Sequence, residues 1–235
     1  AVYALPTHVI LGLEPYGETV DHKRPDFQAN EFGKFCRRLK KGKPAVVECL
    51  FTEHFYSARR PMIELRGNAD RFLCRQTVEA YLGYAEAQLR RLRAGMSVHA
   101  SGGEPGEKWA YHMARMTMDA DRIACGLGPQ VWKDGDDRAY LMKIRTGEVK
   151  PEDAAAECEK TIARLRTESA SWAVQEDGDW KYLNDVLVKF RMTPLDPDEE
   201  LLAPYLDGPE CTCYELVGAA HQPGCQFYKA PSAGP

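Results

Sequence analysis

From residue 70 to residue 191 apolar side chains return at intervals of three and four, a period that restricts this stretch to packed helices. Residues 70–93 carry Leu73, Tyr81, Ala85, Leu89 and Leu92 on one broad face and run out at Gly95. Residues 108–125 place Trp109, His112, Met113, Met116, Ala120 and Ile123 at the same spacing. A shorter helix is predicted over 138–146, and another over 154–169 behind Pro151, a residue tolerated in a first turn. The last, over 179–191, aligns Trp180, Leu183, Val186, Leu187 and Phe190. Between the first two helices, residues 96–107 hold Gly-Gly and Pro-Gly pairs and read as loop.

The start of the chain has a different texture. Two apolar runs, 1–5 and 9–13, are divided by Pro6 and Thr7, and residues 12–17 and 21–25 read as loop. From Phe27 the period changes, and Phe32, Phe35, Cys36 and Leu39 fall on one helical face. Gly42 supplies a left-handed cap to that helix and Pro44 prevents its continuation. The run AVVECLF, residues 45–51, is short and β-branched and predicts a largely buried strand. Strand, helix and strand in close succession indicate an α/β piece. The expected fold class is therefore α+β. It consists of an α/β N-terminal part over residues 1–60, an all-helical domain over 61–192, and an irregular Pro- and Gly-rich tail over 193–235.

A hydrophobic fraction of 44% and a charged fraction of 28% are those of an ordinary globular protein. No apolar run approaches the roughly 18 residues of a membrane span, so no membrane partner is expected. Net charge is −4, so any nucleic-acid contact must use a local patch. Arg37, Arg38, Lys40, Lys41 and Lys43 form one basic run and Arg90, Arg91 and Arg93 another; each also fits a solvated helix end. Of 8 cysteines, Cys36, Cys49, Cys74, Cys125 and Cys158 are isolated; Cys36 and Cys158 in helical patterns and Cys49 in the strand-like run fit small buried hydrophobes. A chain this long needs no disulfide scaffold, which points to a reducing cytoplasm. No secretory segment is recognised, and an initial alanine implies processing or, as preferred here, truncation.

Six segments in order resemble the RNA-repair-pathway family of the DNA polymerase beta nucleotidyltransferase superfamily. They are VYALP with VILGL, FGKFCRRLKKGKPAVVECLF, FLCRQTVEAYLGYAEAQLRRL, KWAYHMARM, LMKIRTGEV and DWKYLNDVLVKF. Lys43 stands where the family has Asn, and Cys74 where it has Ser. The resemblance implies a metal-dependent nucleotidyltransferase, which passes a nucleoside monophosphate from a nucleoside triphosphate to an acceptor, RNA among the possibilities. It also implies a Gly-Ser turn that grips the triphosphate, an Asp-x-Asp pair that binds two divalent metals, and a third carboxylate on a later strand. Carboxylate oxygens suit Mg²⁺ or Mn²⁺, and two such ions stabilise the attacking and leaving oxygens of an in-line displacement. VYALP is expected directly after the Asp-x-Asp-x-Arg strand, so the first two motifs would lie upstream of Ala1 and this chain alone would have little activity.

Asp26 is the candidate third carboxylate and metal ligand, its alternative being a turn or helix-start acid. Glu31 is second, with an exposed helical position as the plainer reading. Glu48, a charge within AVVECLF, is a candidate catalytic residue: it could support the metal site, bond a helix end or face solvent. Lys108, His112 and Arg115 share a helix face and are the candidate nucleotide-binding residues; the alternative packs His112 beside Trp109 and Met116. Tyr84 and Gln88 would line the same cleft or, for the aromatic, enter the core. In the tail, Cys211, Cys213, His221 and Cys225 are spaced to wrap one tetrahedral Zn²⁺, reduced thiols being the alternative. The rival to an enzyme is a non-catalytic module that binds a nucleotide, RNA or a protein.

Overall fold

Among the described residues three short strands precede the first helix: β1 (Val2–Tyr3), β2 (Thr19–Lys23) and β3 (Asp26–Glu31). The computed structural model describes residues 2–3, 19–23, 26–53, 60–94 and 105–192, with backbone alone at 2–3, 19–23, 26–29 and 105. The sheet order is β1-β3-β2. β1 runs parallel to β3, with Val2 opposite Asn30, and β2 runs antiparallel to it, from Thr19 opposite Asn30 to Lys23 opposite Asp26. Residues 21–23, expected in a loop, are strand, and the change of period at Phe27 opens a strand rather than a helix. TVDHK carries too few apolar residues to register an alternation, and an edge strand tolerates its charges. The run 9–13 lies outside the described residues.

α1 (Phe32–Lys40) begins where β3 ends. Glu31 is its N-cap, accepting from the Lys34 N–H at 2.8 Å, so one of the orphan first-turn donors is satisfied. Phe32, Phe35, Cys36 and Leu39 are buried as their spacing predicts. Gly42 takes a positive φ of 62° and its N–H reaches Leu39 O at 2.8 Å, the expected left-handed cap.

The segment expected as a strand is instead a helix, α2 (Pro44–Phe51). Pro44 occupies its first turn, where the missing N–H is no loss. Val46, Val47 and Leu50 are buried while Ala45 and Cys49 are exposed, which is helical and not alternating burial. Burial of that face overrides the strand preference of two adjacent valines. Arg66 satisfies the far end by donating to Cys49 O at 2.8 Å and to Thr52 O.

The remainder of the described chain is mainly helical. α3 (Arg60–Arg66) is followed by a 3₁₀ turn, Ala69–Phe72, and by α4 (Arg75–Arg93). α5 (Pro105–Ala124), α6 (Gly135–Arg145), α7 (Pro151–Thr167), a 3₁₀ turn at Ser169–Ser171 and α8 (Trp180–Met192) complete the order. α4 starts later than predicted because Cys74 leaves the helix path to bridge with Gln175. α5 starts earlier, inside the stretch read as loop, with Pro105 at its first position.

One apolar core runs from Phe35 and Leu39 through Val47, Leu65, Phe72 and Tyr81 to Met113, Met116, Ile144 and Leu165. α8 closes over α1 and α3. Phe190 meets Phe32 edge to face at 4.9 Å, Lys189 reaches Glu64 at 3.2 Å, and Arg191 reaches Glu31 at 3.2 Å. Glu31 is thus buried at 3% exposure, and not an exposed helical residue. Among the described residues no helix is long and apolar enough to cross a membrane.

Candidate functional site

α2 and α5 carry the charged residues that the sequence singles out. Lys108, His112 and Arg115 rise along two turns of α5, and the apolar side of the same helix buries Trp109, Met113 and Met116. Burial increases along the row: Lys108 is exposed, His112 half-buried, and the Arg115 side chain 21% exposed. At the inner end Arg115 Nη1 lies 3.3 Å from Glu48 Oε1 on α2. The contact is an ion pair without the alignment of a hydrogen bond, since Glu48 Oε1 is buried with no hydrogen-bond partner. Two residues from separate motifs are therefore brought together. Of the three roles open to Glu48, facing open solvent is the one its burial removes, its side chain being 13% exposed.

Surroundings set the charge states. Burial raises the Glu48 carboxyl above its ordinary value; Arg115 and Lys133 oppose the rise, and Asp119 adds to it. His112 is held below 6.5, first by burial and then by Arg115, Lys108 and Arg145. A neutral imidazole with one donor and one acceptor is the form expected near neutral pH. Its ring meets that of Tyr111 edge to face at 5.4 Å. Arg145, from the end of α6, sits 5.9 Å from the centroid of the Tyr111 ring.

Behind the ion pair lies a second one. Lys133 Nζ is 2.7 Å from Asp119 Oδ1, and the two side chains are 5% and 0% exposed. The same oxygen accepts from the Gln130 N–H at 3.0 Å, while Asp119 Oδ2 is buried without a partner. Residues 126–134 join α5 to α6, and this loop is pressed on α2. A Cβ at Gly128 would stand 2.3 Å from the Phe51 ring, so only glycine allows the approach.

Arg145, Asp119 and Lys133 were not singled out from sequence. Arg145 stands inside LMKIRTGEV, where the resemblance could have drawn attention to it. Asp119 interrupts the apolar stripe of α5 between Met116 and Ala120, a recognisable signal, whereas Lys133 in a loop gives none. Tyr84 is 42% exposed and does not enter the core; Gln88 is buried at 3%. Cys49 is exposed, unlike the buried Cys36, Cys74 and Cys158. The basic residues Arg37, Arg38 and Lys40 stand in the last turn of α1, and Arg90, Arg91 and Arg93 in that of α4, where cations complement the helix dipole.

Asp26 opens β3, and its side chain lies outside the description. Cys211, Cys213, His221 and Cys225 lie outside the described residues altogether. Among the described residues no group of three or more His, Cys, Asp or Glu could hold a metal ion.

Comparison with known proteins gives a result for the family and none for individual relatives. No curated protein and no solved structure matches the chain. The family model described as the RNA repair pathway DNA polymerase beta family matches residues 1–189. That span takes in the sheet, the α2–α5 ion pair and α8 almost to its end, and the chain belongs to this family.

Proposed function

We propose that this chain is the body of a metal-dependent nucleotidyltransferase that moves a nucleoside monophosphate from a nucleoside triphosphate to an RNA end. The observation that supports it most is the ion pair joining Glu48 to Arg115 beside a neutral His112, on elements drawn from two family-like motifs. In this reading Lys108 and Arg145 raise the local concentration of the anionic triphosphate. Arg115, held by Glu48, directs its remaining donors at phosphate oxygens, for which a guanidinium fork is suited. His112 offers one donor and one acceptor to the ribose or base. Glu48 acts through Arg115 as a positioning residue.

Asp26 is the proposed metal carboxylate. Val2 pairs with Asn30 in parallel, and a strand continuing upstream in that register would bring the position three before Ala1 level with Asp26. An Asp-x-Asp-x-Arg strand leading into Ala1 would place its second Asp there, next to Asp26. Asp26 would be one of the three carboxylates such a site needs. When bound, Mg²⁺ or Mn²⁺ would supply charge neutralisation at the attacking and leaving oxygens.

The test uses the full-length gene product, α-³²P-labelled ribonucleoside triphosphates, Mg²⁺ and RNA with free 3′ ends. Label should pass to RNA only with the metal, and Arg115→Met should reduce the rate by about 100-fold, as removal of a phosphate-directed donor does. Triphosphate binding without transfer to any acceptor would instead make the chain a non-catalytic nucleotide-binding module.

A further inference from the structure

The Asp119–Lys133 pair has no evident reason to exist as charge. Both side chains are almost wholly buried, and a buried ion pair is often replaced by apolar residues without loss of stability. Four alternating charges meet here from three elements: Glu48 on α2, Arg115 and Asp119 one turn apart on α5, and Lys133 on the following loop. Both cations act on Glu48. Which cation pairs with which carboxylate is therefore a choice, and each carboxylate keeps one buried oxygen unbonded, so neither is saturated. With Lys133 at 2.7 Å from Asp119, Arg115 is left to Glu48 at 3.3 Å.

We propose that Asp119 and Lys133 are positioning residues of the nucleotide site: by neutralising each other they commit Arg115 to Glu48 and fix the direction in which its guanidinium faces a triphosphate. The second half of this statement rests on the function proposed above; the first does not. Loss of Asp119's charge frees Lys133 to take Glu48 and displace Arg115. Loss of Lys133's charge leaves Asp119 to draw Arg115 away. Removal of both restores the original pairing.

The experiment compares the wild-type chain with Asp119→Asn, Lys133→Met, the double variant and Lys133→Arg, each first shown to be folded by circular dichroism. Nitrogen-15 NMR reads the rotation of the Arg115 Nη groups, and calorimetry reads the affinity for inorganic triphosphate. Arg115 should be restrained in the wild type, the double variant and Lys133→Arg, and free in the two single variants. Affinity should fall about tenfold in the singles, some 1.4 kcal/mol, and return in the double. A restraint unchanged in folded single variants, or lost in the folded double, overturns the proposal. If the singles do not fold, the double variant alone decides by the same criterion. If restraint follows the pattern but even the wild type binds no triphosphate, the positioning of Arg115 stands and the nucleotide site falls.

Discussion

Arg115 holds a carboxylate that burial disfavours as an anion, so its removal leaves Glu48 charged, half-buried and unpaired. Arg115→Met should destabilise the fold by roughly 3 kcal/mol near neutral pH. The loss should shrink in mild acid. The folded-state pKa of Glu48 is raised, so the penalty is present above that value and is relieved as falling pH protonates the carboxyl. Urea denaturation across pH checks both parts. His112 works the other way. Its folded-state pKa is lowered, so below the ordinary value of 6.5 the unfolded chain binds a proton that the folded chain resists. Stability is therefore full above that value and declines as pH falls through it, and His112→Gln should flatten the decline in the same titration. Glu48 stood out in the sequence as a charge within an apolar run, and His112 and Arg115 by a shared helix face in a family-like segment. Asp119 left a trace, a charge between Met116 and Ala120, but Lys133 left none, because its meaning arises only when a loop folds back on α2.

At the scale of elements, a seven-residue apolar run satisfies a strand or two helical turns equally, and periodicity cannot choose between them. In residues 45–51 the sequence misleads through Pro44, which reads as the end of α1 and serves as the start of α2. The turn between these helices is tightly specified. Gly42 has a positive φ, and a Cβ there would lie 2.8 Å from the Thr77 Cα at the start of α4. Gly42→Ala combines a left-handed strain with a backbone collision and should lower stability by about 2 kcal/mol or more, measured by thermal or urea unfolding. The long helices were legible to within a few residues, since several turns of consistent spacing outweigh any single propensity. The sheet was not: β1 is very short, and β2 carries charge where an alternating strand would show apolar residues.

For the molecule as a whole, α8 ties the end of the helical array back to α1 and α3 through Phe32, Glu31 and Glu64. A chain ending at residue 178 should lose its cooperative transition, because α1 would expose Phe32 and leave the buried Glu31 without Arg191. Calorimetry would show a broadened, weaker melt in place of a sharp one. Within this fold Glu48 on α2 pairs with Arg115 on α5, so its central consequence is a cationic, partly buried approach to one guanidinium. The most direct test titrates the wild-type chain with each of the four ribonucleoside triphosphates in Mg²⁺ while following the Arg115 and His112 side-chain NMR signals. Saturable shifts at both residues, with the His112 shift abolished by Arg115→Met in a folded chain, are the result this account predicts. Signals that stay unmoved at millimolar concentrations of all four nucleotides would contradict it.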